Sequence, residues 1–289
     1  MPKSYKTIMA DIKQLQDFAT QVRRDILRMV HAVSSGHPGG SLGATDFVTA
    51  LYQEIMEHNA SDFNMQANGE DVFFLSNGHT SPMWYSVLAR SGYFNVSELA
   101  TFRKLNSRLQ GHPTTAEGLE GVRIASGSLG QGLSVALGVA LAKKLDGDNH
   151  LVYTLHGDGE LDEGQVWEAA LYAGAKKIDN IIATVDYNKQ QIDGSVEHVL
   201  DLGDLGAKWK AFGWHVMEMQ GNDMADIIKV MAEAKAATGK GMPIAILMHT
   251  EMGAGVDFME GTHKWHGQAP NDEQLATALA QLPETLGDY

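Results

Sequence analysis

"YTLHGDGELDEGQVWEAALYAGAKKIDNIIATVDYNKQQIDG" occupies residues 153–194. It opens on an apolar run that stops at Gly157-Asp158-Gly159 and closes on a second apolar run that stops at Asp186-Tyr187-Asn188. Residues 163–177, between them, have helical spacing. Two short apolar runs without polar alternation, a helix apart, read as parallel strands buried on both faces. In open parallel sheets, ligands bind at the carboxyl ends of the strands. Both ends here carry an oxygen-bearing side chain, Asp158 and Asn188. Gly157 and Gly159 leave room for backbone N–H groups to approach a ligand, and the helix that follows offers its N-terminus to anionic oxygens. With a loop carbonyl such as that of Gln190, two diphosphate oxygens and a water, the pair would complete an octahedral Mg²⁺ set. The same residues also fit a plain βαβ unit whose Asp and Asn cap turns, because Asp-Gly is common in turns.

The pattern continues outward on both sides. Upstream, residues 8–33 predict an amphipathic helix, broken at Gly36-His37-Pro38-Gly39-Gly40, and residues 44–56 predict a second one. "DVFFLS" (71–76) reads as a buried strand ending at Asn77-Gly78-His79, and "SPMWYSVLARSG" returns to helical spacing. "VSELATFRKL" predicts another helix with Ser97 as its N-cap. "GSLGQGLS" (127–134) leads into a small-residue helix, "VALGVALAKKL". Downstream come the strand "GWHVMEM", a helix over 223–237, the strand "PIAILMHT", then a short helix and tail. Strands alternating with helices predict an α/β fold: a parallel sheet flanked by helices on both faces, with a helical N-terminal entry, in one domain over residues 1–289.

The totals narrow the classes. A chain of 289 residues that is 44% hydrophobic can bury a large core. A formal net charge of −14 argues against nucleic-acid binding, which needs Lys and Arg to replace phosphate counterions. No apolar stretch is long enough to span a membrane, and the mixed-charge N-terminus has no secretory apolar region, so the expected location is the cytoplasm. With no cysteine, disulfides, thiolate metal sites and thiol catalysis are excluded.

"GDGELDEG" followed by Asn188 resembles the diphosphate-and-metal motif of thiamine diphosphate enzymes. Within that class the chain resembles transketolase. "SSGHPGGSLG" (34–43), "LSNGHTSPMWY" (75–85), "QGHPT" (110–114), "GSLGQGLS" (127–134) and "GTHKWHG" (261–267) are similar to transketolase segments and keep their order. The likeness runs over residues 24–270, with Ser128 standing where larger transketolases carry proline. It implies a thiamine diphosphate-binding fold and roles residue by residue. Asp158 and Asn188 would be metal ligands, with the backbone carbonyl of Gln190 completing the set around Mg²⁺, for which Ca²⁺ or Mn²⁺ could substitute. His79 and His266 would contact the diphosphate end and line the reaction site. His37 and His112 would face the thiazolium and the donor sugar. Gly127 and Leu129 would touch the cofactor rings through their backbone, and Gly157 and Gly159 would flank the diphosphate. Glu163 would belong to a carboxylate network at the subunit interface, close to the cofactor.

The activity implied is transfer of a two-carbon ketol unit from a ketose phosphate to an aldose phosphate, as in pentose phosphate interconversion. The cofactor acts as electron sink, and histidines suit the proton movements near neutral pH. In this family the aminopyrimidine is held by a second domain across a subunit interface. The resemblance is therefore to the N-terminal subunit of a split transketolase. Its expected partner is a C-terminal subunit carrying the pyrimidine-binding and C-terminal domains, in an α₂β₂ heterotetramer. Alternatives are a related ketol transferase acting on a sulfosugar or branched sugar, a deoxyxylulose phosphate synthase relative, which His37, His79 and His112 together disfavour, and a non-catalytic cofactor-binding remnant.

Overall fold

The computed structural model describes residues 11–289. Five parallel strands form the central sheet: β1 (Val72–Leu75), β2 (Val152–Gly157), β3 (Ile181–Asp186), β6 (His215–Gln220) and β7 (Ile244–His249), in spatial order β1-β2-β3-β7-β6. A small antiparallel hairpin, β4 (Gln190–Gln191) and β5 (Gly194–Ser195), follows β3. The helices are α1 (Ile12–Ala32), α2 (Pro38–Gly43), α3 (Thr45–Ala50), α4 (Ser81–Arg90), α5 (Gly132–Asp146), α6 (Gly164–Lys176), α7 (Val196–Val199), α8 (Leu205–Ala211), α9 (Met224–Ala237) and α10 (Asp272–Gln281). Strands β1, β2, β3 and β7 are buried nearly end to end because helices cover both faces of the sheet. Their Val, Ile and Phe side chains supply the middle of the apolar core. Among the described residues no helix is long and apolar enough to cross a membrane.

Several local expectations change. Residues 8–10 of the first expected helix lie outside the described residues; from Asp11, whose carboxylate caps Gln14, the helix runs as expected. The glycines after His37 do not form a loop. Pro38 starts α2 directly, with its missing N–H at a position that has no helical partner anyway. Gly39 is required there by packing, since a Cβ would lie 2.8 Å from the Met252 side chain and 2.9 Å from the Trp265 carbonyl. The segment 96–101 is a 3₁₀ turn capped by Asn95, not a helix capped by Ser97. Strand β6, expected to be apolar on both faces, is the sheet edge, and His215, Glu218 and Gln220 face solvent.

One cluster ties the helical entry to the sheet. Arg23 of α1 donates to both carboxylate oxygens of Asp46 in α3 (2.9 and 2.7 Å) and to the Ala254 carbonyl at 2.9 Å. Such a two-pronged pair holds orientation as well as charge. It fixes α2 and α3 against the segment after β7 that carries Met252, so His37 and the strand ends keep a set spacing.

Candidate active site

The carboxyl ends of β1, β2 and β3 open into a cleft of about 250 Å³. Four loops bring a histidine each to its edge. His79 rides the 3₁₀ turn 78–80 after β1. That turn lies so close to the next segment that a Cβ on Gly78 would sit 2.2 Å from the Ser126 carbonyl. His112 lies in a loop held by α4, where the Ser81 hydroxyl donates to the Gly111 carbonyl (2.8 Å) and the Tyr85 hydroxyl to that of Gln110 (2.9 Å). His37 precedes α2. His266 follows a short turn anchored by buried Trp265, whose indole donates to the Phe258 carbonyl at 3.0 Å.

The four rings form one group. The His37 ring centre is 5.1 Å from that of His79, 5.6 Å from His266 and 6.1 Å from His112, and His79 is 5.0 Å from His266. Burial lowers the pKa of every one. His37 falls to about 4, through burial first and then the neighbouring His266, Arg103 and His112. His79 is held well below the ordinary histidine range by burial and by His266, His37 and His112. The rings are therefore neutral at pH 7, each with one N–H donor and one acceptor nitrogen. The Nδ1 atoms of His37 and His266 are buried without a partner among the described residues.

The opposite wall is acidic. Asp158 is 1% exposed and its carboxylate accepts the Gly159 N–H (2.8 Å) and the Lys189 N–H (2.5 Å), which joins the loops after β2 and β3. Asp186, at the end of β3, accepts from the Asn188 amide at 2.8 Å and from the Thr250 hydroxyl. Asn188 Oδ1 accepts the Gln190 N–H at 2.9 Å. Burial, then Asp186, pushes Asp158 up to about 8, and burial pushes Asp186 up to about 6. Among the described residues neither carboxylate has a basic side chain as partner. A bound cation answers that arrangement, because a nearby positive charge restores the ionised form. Among the described residues no three His, Asp or Glu side chains are grouped to hold an ion. A metal here would have to use Asp158 together with the amide of Asn188 and a backbone carbonyl such as that of Gln190, a hard-oxygen set.

The structure brings His37, His79, His112, Gly127, Leu129, Gly157, Asp158, Gly159, Asn188, Gln190 and His266 to one cleft. Glu163 stands apart: it is exposed, it precedes α6 without a capping bond, and it does not line the cleft. Glu160, three residues earlier and 2% exposed, is the glutamate whose side chain reaches the cleft wall. Asn77, Asp186 and Met252 also line the cleft, beyond the residues that the sequence reading assigns to it. Asn77 and Asp186 carry a readable signal, since each stands at the end of a strand evident in the sequence. Nothing local marks Met252.

A cleft at the strand ends of a parallel sheet, with a Gly-Asp-Gly turn and an Asn at neighbouring strand ends, fits the thiamine diphosphate-binding fold, which the transketolase structures share with this chain. The family model "Transketolase, thiamine diphosphate binding domain" matches residues 15–284. The chain belongs to the transketolase family, and this domain of the family binds thiamine diphosphate. It is 39% identical over 268 residues to the 6-deoxy-6-sulfo-D-fructose transketolase subunit SqwG of Clostridium sp. (strain MSTE9), covering 93% of this chain and 96% of that one. It is 36% identical over 264 residues to an apulose-4-phosphate transketolase subunit of Phocaeicola vulgatus, covering 91% and 92%. The Campylobacter jejuni transketolase structure matches with a TM-score of 0.86 and 34% identity, over 93% of this chain and 43% of that one. Human transketolase is 34% identical over 97% of this chain and 44% of its own. The chain thus spans less than half the length of these larger transketolases.

Proposed function

We propose that this chain is the diphosphate-binding half of a two-chain, thiamine diphosphate- and Mg²⁺-dependent ketol transferase, with residues 1–289 forming a single domain. The carrying observation is the cleft itself. Four neutral imidazoles stand on one side, and on the other a buried carboxylate pair has no basic partner among the described residues. When bound, thiamine diphosphate supplies the electron sink for cleaving the bond beside a ketose carbonyl. Asp158, Asn188 and the Gln190 carbonyl would hold a hard cation such as Mg²⁺, which would supply positive charge to offset that of a diphosphate. His79 and His266 would line the diphosphate end, with backbone contacts from Gly127, Leu129, Gly157 and Gly159. His37 and His112 would exchange protons with the sugar hydroxyls, a task for imidazoles that are neutral at pH 7 and have an acceptor nitrogen free.

Substrate choice has a second reading with its own support. Two relatives matched along nearly their whole length are named for a sulfonated sugar and for apulose phosphate. The test is a donor panel of an ordinary ketose phosphate, 6-deoxy-6-sulfo-fructose and a branched ketose phosphate. Each is offered with an aldose phosphate to the chain reconstituted with its partner. The reading fails if no donor yields a two-carbon-extended product. In the same assay His112→Ala is expected to lower kcat by about tenfold to a hundredfold while cofactor affinity holds, as for a group that acts on the sugar. A fall in cofactor affinity with kcat per bound cofactor intact would reassign His112 to the diphosphate.

The partner would carry the pyrimidine-binding half, in an α₂β₂ assembly. The α5–α6 surface supports this. Val135 on α5 and Leu171 and Tyr172 on α6 are exposed. Gly138 of α5 is exposed too, and a Cβ there would touch nothing within 4 Å. A helical glycine costs roughly 1 kcal/mol against alanine, and packing inside this chain gives no reason for it. A close partner backbone would. Glu163, exposed just ahead of α6, would then add its carboxylate to that interface. Light scattering on the mixed chains is expected to give two copies of each; a stable, fully active 1:1 heterodimer would refute the tetramer.

A further inference from the structure

Glu160 lines the cleft but belongs to neither the metal set nor the histidine group. It sits on the 3₁₀ turn 159–162 that follows β2 and is 2% exposed. Oε1 accepts the Gly130 N–H at 2.7 Å and the Ser76 hydroxyl, and Oε2 accepts the Gly157 N–H at 3.0 Å. The Ser76 oxygen in turn accepts the N–H of Gly132, the first residue of α5, at 3.1 Å. His156 Nδ1 lies 3.6 Å from Oε2. One carboxylate thus joins the end of β1, the end of β2 and the Gly-rich approach to α5.

Those three segments carry much of the proposed cofactor machinery. Asn77 and His79 follow Ser76, Asp158 follows Gly157, and Gly127 and Leu129 precede Gly130. Asn77 Oδ1 is buried in the cleft wall without a partner among the described residues. The segments also meet at backbone range: a Cβ on Gly132 would lie 2.4 Å from the Ser76 Cβ, and Gly130 has a φ of +81°. At that spacing only bare N–H groups face one another's side chains. A buried carboxylate is costly unless its lone pairs are used. Here two oxygens with about four acceptor sites meet three donors, and the N-terminus of α5 favours a negative charge beside it.

We propose that Glu160 is a positioning residue. It sets the spacing of the three loops that receive thiamine diphosphate and touches neither the sugar nor the metal. The proposal deepens, and rests on, the cofactor reading above. It makes a distinction that a general stabilising role would not: its loss should weaken cofactor affinity and loosen named backbone sites, while catalysis per bound cofactor survives.

The test substitutes Glu160→Gln, which keeps size but has one acceptor oxygen, so at least one of the three donors is orphaned. Amide exchange at Gly130, Gly132 and Gly157 is followed by NMR in the full chain without cofactor. Thiamine diphosphate with Mg²⁺ is then titrated into the complex with the partner. Exchange at Gly130 or Gly157 is expected to quicken by about tenfold, with β6 and α9 amides unchanged, and the cofactor Kd to rise by about tenfold or more. Turnover per bound cofactor should stay within about twofold of the parent. Ser76→Ala should act in the same direction at Gly132, and the double variant should cost less than the sum, as for one network. Should Glu160→Gln fail to fold, Ser76→Ala decides the question alone through Gly132 exchange and cofactor Kd. Parent-like exchange and affinity would overturn the proposal, and so would a loss confined to turnover. A parent complex that never binds thiamine diphosphate would instead sink the cofactor reading, while the exchange data would still report whether Glu160 ties the loops.

Discussion

Asp158→Ala is expected to abolish Mg²⁺-dependent retention of thiamine diphosphate, with affinity falling by at least about a hundredfold in the complex with the partner. Asp158 would be the one charged side chain in a ligand set otherwise made of an amide and a backbone carbonyl. Its carboxylate also accepts the Gly159 and Lys189 N–H groups, so its removal frees the loop after β2 from the loop after β3. Both the charge and the geometry of the set are lost together. Fluorescence titration of cofactor with and without Mg²⁺ measures the effect, and circular dichroism checks that the fold persists. Asp158→Asn separates the two contributions, since it keeps most of the shape and removes the charge. Unchanged affinity in Asp158→Ala would mean that the Gly-Asp-Gly turn is only a turn, and the metal assignment of Asn188 and Gln190 would fall with it.

The second large effect concerns the chain by itself. Purified with thiamine diphosphate, Mg²⁺, a ketose phosphate and an aldose phosphate, it is expected to show turnover lower by about a thousandfold or more than the mixture with its partner. The physical motive is an unfinished cleft. Gly127 and Ser128 are exposed on one lip, and Ile192 is 59% exposed on the other. A reactive carbanion needs a dry, walled site. Nothing on these lips excludes water until another surface covers them. Full turnover by the chain alone would end the two-chain reading and would require the aminopyrimidine to be held by its own residues.

The cleft is legible to different depths at different residues. Strand ends are the most readable features. Apolar runs stopping at Asn77, Gly157-Asp158 and Asp186-Tyr187-Asn188 place three loops on one edge of a parallel sheet from chain order alone, and the strand register bears this out. Helix starts are less so. Gly36-His37-Pro38-Gly39-Gly40 reads as punctuation because glycine disfavours helices, yet Pro38 opens α2 and Gly39 serves the approach of Met252 and Trp265. That contact joins residues more than two hundred positions apart, and no local propensity reports it. Strand β6 is misread for a similar reason. Its Val and Met look buried, but only the sheet order, with β6 outside β7, decides that half of it meets solvent.

The acids show where sequence stops. Glu160 and Glu163 stand three residues apart, one in the short turn after β2 and one just past it, and have the same side chain. Only the packed loops of Ser76 and Gly130 draw the first inward and leave the second on the surface. The neutral state of the four histidines is likewise a tertiary fact, since an isolated imidazole titrates near 6.5 and it takes four loops converging on one buried cleft to lower them all. The sequence by itself determined the α/β alternation, the parallel sheet and the strand-end residues that carry the family likeness, because period and chain order are written along the chain. Which carboxylate faces the cleft, which strand is the edge and which rings stay uncharged depend on burial and on distances between segments far apart in sequence, and those exist only once the chain has folded.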